Sequence, residues 1–154
     1  MDKTVLCYIE NNHHYLMLFR NKKEQDINEG KWIGIGGHLE QGETKEQALL
    51  REIKEETDLT LKSFNYRGEI LFVNGPIKET MYLYTSNDYE GEIKECDEGE
   101  LKWIPFEKIM SLNLWEGDKI FLPKLMNTNE FINLELYYDI DVLVKVLDKG
   151  GNNL

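Results

Sequence analysis

Three glutamates near the end of an expected helix have the spacing most suggestive of chemistry. In the stretch REIKEETDL, Glu52 stands three and four positions before Glu55 and Glu56, so a helix places all three on one face. Like charges at this spacing cost about 0.2–0.5 kcal/mol per pair, and acidic groups in a last turn also oppose the helix dipole. A bound cation would offset both costs. Because clustered carboxylates suit Mg²⁺, the spacing predicts a divalent metal site.

The residues around these glutamates extend the pattern over 23 positions of the chain, GHLEQGETKEQALLREIKEETDL. This segment resembles the signature of the Nudix hydrolase family: Gly, five residues, Glu, seven residues, then Arg-Glu-apolar-x-Glu-Glu-x-Gly-apolar. Only the last Gly differs, being Asp58 here. A solvated acidic helix face is the alternative, and the spacing of the other matches disfavours it. The matching positions are Gly37, Glu43, Arg51, Glu52, Ile53, Glu55, Glu56 and Leu59.

The resemblance implies a Nudix-type α/β/α sandwich, with a mixed sheet and the signature loop and helix at its active edge. It also implies that Glu52, Glu55 and Glu56 bind Mg²⁺, or Mn²⁺ in its place. The carbonyl of Gly37 would join them, since Gly36 and Gly37 let the loop approach a metal closely. Such a metal neutralises phosphate charge and activates a water molecule.

Arg51 and Glu43 would orient the metal ligands, because Arg51 stands four residues before Glu55 and within reach of Glu43. Glu98, in CDEGELKW, falls where related enzymes often have a further acidic ligand, and its acidic neighbours leave that register open. The glutamate that activates the attacking water is not fixed by the sequence.

Two further stretches, GKWIGIGGHLEQGET and LWEGD, resemble the MutT-related 8-oxo-dGTP diphosphatase branch of this family. In that branch Trp115 would stack on a purine base and Asp118 would hydrogen-bond its edge. Trp32 and Ile33 would border the base. Ile33 replaces an Asn common in the branch, so it offers an apolar wall in place of a hydrogen bond. Buried core packing is the alternative for both tryptophans.

The favoured function is Mg²⁺-dependent hydrolysis of oxidised purine nucleoside triphosphates to monophosphate and pyrophosphate. Another diphosphate-linked nucleotide is the first alternative: a dinucleoside polyphosphate, ADP-ribose, a nucleotide sugar or another dNTP. A nucleotide-binding module that kept the fold and lost turnover is the second.

Net charge and cysteine content restrict the partners. A net charge of −11, from 29 acidic and 18 basic residues, opposes binding to polymeric nucleic acid or an acidic membrane. We expect one domain over residues 1–154, with a small nucleotide as its substrate. The two cysteines, Cys7 and Cys96, fit neither a zinc pattern nor a disulfide framework, and Cys7 fits a core strand. No secretory signal or membrane-spanning run is evident, so the expected location is the cytoplasm, and the oligomeric state stays open.

The three glutamates require a helix to position them, and residues 44–57 have the sequence features of a helix. Thr44 and Gln47 form a capping box, and Ala48, Leu49 and Ile53 supply an apolar stripe. We expect the helix to end at Asp58, because Asp tolerates a left-handed end better than most residues.

The remaining elements are predicted from apolar alternation and turn residues. A first hairpin is expected to turn at Asn11-Asn12, and a closing hairpin at 139–141, with a helix over 141–149 as the weaker alternative. Pro105 suits the start of a short helix, whereas Pro123 argues against a long uninterrupted helix in DKIFLPKLMN. Three further strands are expected in FNYRGEILFV, ETMYLYTS and GELKWIPF.

Overall fold

The computed structural model describes residues 2–22 and 28–150. Nine strands and three helices are formed by the described residues. In chain order they are β1 Asp2–Asn11, β2 His14–Arg20, β3 Trp32–Ile33, β4 Ile35–His38, α1 Lys45–Thr57, β5 Thr60–Asn74, β6 Ile77–Glu90, β7 Gly99–Pro105, α2 Phe106–Ile109, α3 Asp118–Asn127, β8 Ile132–Asp139 and β9 Val142–Asp148.

The strands form a mixed sheet in the order β3-β2-β1-β6-β5-β8-β9, with β4 beside β1 and β7 beside β2. Strand β1 runs parallel to β6 and antiparallel to β4, and β5 runs parallel to β8. The Gly-rich strand β4 pairs with Thr4 to Cys7 of β1, away from the turn of the first hairpin. The predicted mixed α/β architecture is therefore confirmed.

Alternation along β1 builds a core on each face of the sheet. Cys7 and Ile9 pack with Leu49 and Ile53 of α1, whereas Tyr8 packs on the other face. That second core includes Phe121, Leu122 and Leu125 of α3. Cys7 is fully buried, as expected from its strand pattern. Helix α1 thus lies on one side of the sheet and α3 on the other.

Helix α1 begins and ends as the sequence predicts. The Thr44 hydroxyl accepts a hydrogen bond from the Gln47 backbone N–H at 3.1 Å, and the Gln47 side chain accepts one from Thr44 N–H at 2.9 Å. At the other end Asp58 adopts the left-handed conformation, with φ 69°, and its N–H bonds the carbonyl of Lys54. These local contacts fix the register of the acidic face.

Replacing Asp58 with Gly is expected to raise the free energy of unfolding by up to about 1 kcal/mol, because Gly has no Cβ penalty at positive φ. The change also removes a surface ion pair with Lys54, which is worth about 0–1 kcal/mol. Urea unfolding measures the difference. Turnover should stay unchanged, and a change in turnover at equal stability would contradict a purely conformational role for Asp58.

Two turn and helix predictions need correction. The first hairpin turns at Asn12 and His13, which both have positive φ, one position later than Asn11-Asn12. Helix α3 also continues through Pro123. Burial of its apolar side chains maintains the helix, and the Arg67 guanidinium donates to backbone carbonyls at its end, including that of Thr128 at 2.8 Å.

The closing hairpin is confirmed: it turns at Ile140 and Asp141, and residues 142–148 form β9 with no helix there. Pro105 precedes the short helix α2, as predicted. None of the helices within 2–22 and 28–150 is long and apolar enough to cross a membrane.

Candidate active site

A cavity of about 760 Å³ lies where the Gly-rich strand β4, helix α1 and the turn before α3 meet. Most of the residues singled out in the sequence line it. They are Ile33, Gly36, Gly37, Arg51, Glu52, Glu55, Glu56, Glu98, Trp115 and Asp118. The cavity therefore brings the acidic face of α1, defined as Glu52, Glu55 and Glu56, together with the Trp115–Asp118 turn.

Arg51 organises the acidic face. Its guanidinium donates two hydrogen bonds to Glu43, at 2.6 and 2.9 Å, and one each to Glu52 and Glu55, at 3.0 and 3.1 Å. It also donates to the carbonyl of His38, at 3.0 Å, which ties the helix to the end of β4. The Arg51 hydrogen bond lowers the pKa of Glu43 to about 2. Glu43 does not line the cavity, so its contact with the site is through Arg51.

Glu52 is the most buried of the three glutamates and lies against Gly37. A Cβ on Gly37 would stand 2.4 Å from a Glu52 carboxylate oxygen, so only Gly leaves room for this side chain in its observed position. Burial raises the pKa of Glu52 to about 7, although the hydrogen bond from Arg51 opposes that rise. Without a cation, this carboxylate is costly to keep ionised.

The other acidic groups have neighbours of their own. The Cys96 thiol donates to Glu56 at 3.0 Å, and burial raises the pKa of Cys96 to about 11, so the thiol keeps its proton. Glu98 pairs with Arg20. Within the described ranges, no three His, Cys, Asp or Glu side chains stand close enough to form a preassembled metal cluster.

The donor chemistry nevertheless fits a hard divalent cation. Four of the carboxylates that line the cavity are those of Glu52, Glu55, Glu56 and Glu98, and Gly37 lines it too. Oxygen ligands are those that Mg²⁺ prefers. Three of these carboxylates accept hydrogen bonds from Arg51 or Cys96, and Glu98 from Arg20. Binding a cation would require small side-chain rotations that replace those contacts.

Asp118, the first residue of α3, is a buried carboxyl at the cavity wall. It is 7% exposed, and its side chain makes no hydrogen bond to another residue in the described part of the chain. Burial raises its pKa to about 7, while the charge of Lys31 acts in the opposite direction. Near neutral pH both protonation states are populated, so this carboxyl can donate or accept.

Trp115 is both a core residue and a cavity residue. It is 5% exposed, and its indole N–H donates to Asn28 Oδ1 at 2.7 Å. Lys31 Nζ lies 5.1 Å from the centre of its ring. Core packing and a place in the cavity wall, the two alternatives that the sequence left open for Trp115, are therefore compatible.

Trp32 is not among the described residues that line the cavity. Its neighbour Ile33 lines the wall, whereas the Trp32 ring lies 5.0 Å from the Phe19 ring and packs against the core that contains Trp115. That Trp32 borders a substrate stays a prediction.

The sequence also missed several lining residues. Apolar side chains from three strands form much of the wall around Trp115, namely Leu6, Phe72 and Met81, and Asn28 adds an amide. None of the three apolar residues stands out in its own segment, because an apolar residue in a strand pattern predicts a position in the core. Only the pairing of β1 with β6 and of β6 with β5 brings them to one surface.

Comparisons with known protein families and sequences agree on one family for this chain. The NUDIX domain family matches residues 2–125. A zebrafish (Danio rerio) protein named oxidized purine nucleoside triphosphate hydrolase is 33% identical over 125 residues, covering 80% of each chain. The mouse (Mus musculus) protein of the same name is 27% identical over 124 residues, covering 79% of this chain and 80% of its own.

The solved structure of a MutT protein from Bacillus halodurans superposes with a TM-score of 0.88 at 22% identity, covering 97% of this chain and 98% of that one. At 22% identity, this superposition shows that the two proteins share a fold. The arrangement of Gly37, Glu43, Arg51 and the acidic face agrees with the family match over residues 2–125. The chain belongs to the Nudix family and is a Nudix hydrolase.

Proposed function

We propose that this enzyme hydrolyses oxidised purine nucleoside triphosphates, such as 8-oxo-dGTP, to the monophosphate and pyrophosphate, with Mg²⁺ as its metal. The observation that supports the proposal is the shared cavity, in which the acidic face borders the same space as Asp118 and Trp115. The names of the zebrafish and mouse relatives support the same substrate class.

The acidic face would bind the triphosphate through a divalent ion. Nudix hydrolases generally use such ions, and Mg²⁺ supplies charge neutralisation and water activation when bound. Glu52, Glu55, Glu56 and the carbonyl of Gly37 would hold it, with Glu98 as a further ligand. Arg51 keeps Glu52 and Glu55 close together against their mutual repulsion, and an ion would take over that role from its guanidinium.

Trp115 and Asp118 would select the base. The apolar wall with Ile33 and Phe72 excludes water from a flat ring, which strengthens any hydrogen bond made there. A carboxyl with a pKa of about 7 offers an O–H donor when protonated and two acceptors when ionised. An incorrect base edge would leave this buried group unpaired, at a cost of about 1–3 kcal/mol.

The products of the reaction test the proposal. With Mg²⁺ present, 8-oxo-dGTP should yield the monophosphate and pyrophosphate, and chelation of the metal should stop the reaction. ADP-ribose and a dinucleoside polyphosphate serve as rival substrates in the same assay. Release of orthophosphate from 8-oxo-dGTP, or turnover confined to the rival substrates, would refute the assignment.

Replacing Gly37 with Ala is expected to lower Mn²⁺ affinity and turnover by roughly tenfold to a hundredfold, the range for groups that position a metal ligand. The added methyl group would displace the Glu52 carboxylate, which is the free end of a side chain, so the fold should survive. Electron paramagnetic resonance of Mn²⁺ and a thermal melt measure the two effects.

Gly36 provides the contrasting variant. A Cβ at Gly36 would lie 1.8 Å from the backbone oxygen of Val5, so Gly36→Ala should damage the fold itself. If Gly37→Ala lost stability to the same extent, or kept full Mn²⁺ affinity, the position assigned to Glu52 would be wrong.

A further inference from the structure

Tyr138 of β8 contacts Trp115 and the residue directly before Asp118, Trp115 and Asp118 being the two residues that the proposed function assigns to the base, although Tyr138 does not line the cavity itself. It is 5% exposed, and its ring lies 5.2 Å from the Trp115 ring at an interplanar angle of 82°. The same ring lies 5.1 Å from that of Phe72. Tyr138 also lies beyond residues 2–125, the part of the chain that matches the family.

The Tyr138 hydroxyl makes a second contact, with the turn that leads into α3. It accepts a hydrogen bond from the Gly117 backbone N–H at 2.7 Å in a buried setting. A Cβ on Gly117 would stand 2.7 Å from that hydroxyl and 2.5 Å from a Leu136 methyl carbon. Gly at position 117 therefore permits strand β8 to approach the turn closely.

The orientation of Asp118 depends on this turn. Its carboxyl makes no hydrogen bond to any other described residue, so the backbone at Gly117 and Asp118 determines where the group points. The N-terminus of α3 has no side-chain cap, and the Asp118 N–H bonds the carbonyl of Trp115. The hydrogen bond from the Gly117 N–H to the Tyr138 hydroxyl is thus a tertiary contact that holds the peptide immediately before Asp118.

We propose that Tyr138 is a positioning residue for base recognition, its ring setting the plane of Trp115 and its hydroxyl setting the direction of Asp118. The inference rests on the proposed function. Under this proposal the β8–β9 hairpin contributes to the base selectivity of the enzyme, whereas the acidic face of α1 does not depend on Tyr138.

Tyr138→Phe is the variant that tests this assignment, because it deletes the hydroxyl and keeps the ring. The KM for 8-oxo-dGTP should rise by about tenfold, the upper range for one lost hydrogen bond, while kcat stays unchanged. The preference for 8-oxo-dGTP over dGTP should fall by a similar factor. Mn²⁺ affinity should be the same as in the wild type, since no metal ligand is touched.

Tyr137→Phe is the matched control. Tyr137 is the preceding residue of the same strand, and its hydroxyl donates to Glu135 at 2.7 Å. This variant also loses one tyrosine hydroxyl bond, yet it should keep the wild-type KM and base preference. Thermal melts of both variants separate a loss of stability from a loss of selectivity.

The outcomes distinguish the two levels of the proposal. A wild type that prefers 8-oxo-dGTP, with an equal preference in Tyr138→Phe, would overturn the role of Tyr138 alone. So would a fall in kcat that is the same for every nucleotide. A wild type without any base preference would overturn the proposed function, and the positioning role with it.

Discussion

Replacing Glu56 with Gln is expected to reduce pyrophosphate release from 8-oxo-dGTP by more than about a hundredfold, because a direct metal ligand should cost more than the 10–100-fold typical of its supporting groups. Glutamine has nearly the size of glutamate, and its amide can keep a contact with Cys96. It lacks the negative charge that a divalent ion requires. Steady-state kinetics with Mg²⁺ and direct titration of Mn²⁺ measure the two consequences.

Glu46→Gln is the control for that variant. Glu46 lies in the same helix, but its carboxylate accepts a hydrogen bond from Tyr84 at 2.6 Å and does not line the cavity. Its substitution should leave both turnover and Mn²⁺ affinity near the wild-type values. Unchanged pyrophosphate release in Glu56→Gln would show that the metal cluster has been assigned to the wrong residues.

Replacing Asp118 with Asn should stabilise the protein at pH 8 by on the order of 4 kcal/mol, because the variant has no buried carboxylate to ionise. The pKa of Asp118 is raised from 3.8 to about 7, chiefly by burial. The folded state therefore binds this proton more tightly than the unfolded chain does. The stability this gives is complete below about pH 4 and is lost as the pH rises through 7.

The same substitution should change the dependence of substrate binding on pH. In the wild type, the KM for 8-oxo-dGTP should vary between pH 6 and 8 as Asp118 changes from donor to acceptor. In Asp118→Asn the amide has a fixed donor and a fixed acceptor, so the part of this variation that is due to Asp118 should disappear, and the part due to Glu52, whose pKa is also raised to about 7, should remain. Urea unfolding and initial rates over that pH range give both readouts.

Asp148→Asn is the control with the opposite sign. The Gly150 backbone N–H and Lys124 lower the pKa of Asp148, so removing that carboxylate should slightly destabilise the protein at pH 8. If Asp118→Asn destabilised the protein at pH 8, burial of the ionised Asp118 carboxylate would not carry the cost expected from its raised pKa.

Contacts close in sequence could be predicted, and the acidic helix illustrates why. The Thr44–Gln47 capping box, the helix end at Asp58 and the Arg51–Glu55 pair each involve residues within four positions. Helix geometry alone brings such residues together. The acidic face of α1 could therefore be predicted from residue spacing and from the family resemblance.

Contacts distant in sequence could not be predicted in this way. Cys96 meets Glu56 across 40 positions, and Tyr138 meets Gly117 across 21. The second contact depends on the parallel pairing of β8 with β5, whose register apolar alternation does not specify. The two-residue strand β3 is too short for its sequence to show whether Trp32 or Ile33 lines the cavity.

The relative turnover of 8-oxo-dGTP and dGTP tests the central claim most directly, since both carry the same triphosphate and differ only at the base. With Mg²⁺ present, kcat/KM for 8-oxo-dGTP should exceed that for dGTP by more than about tenfold, because in the proposed site the buried Asp118 would hydrogen-bond the base edge. Equal values of kcat/KM would contradict the account, because the acidic face would then act without base selection by Trp115 and Asp118.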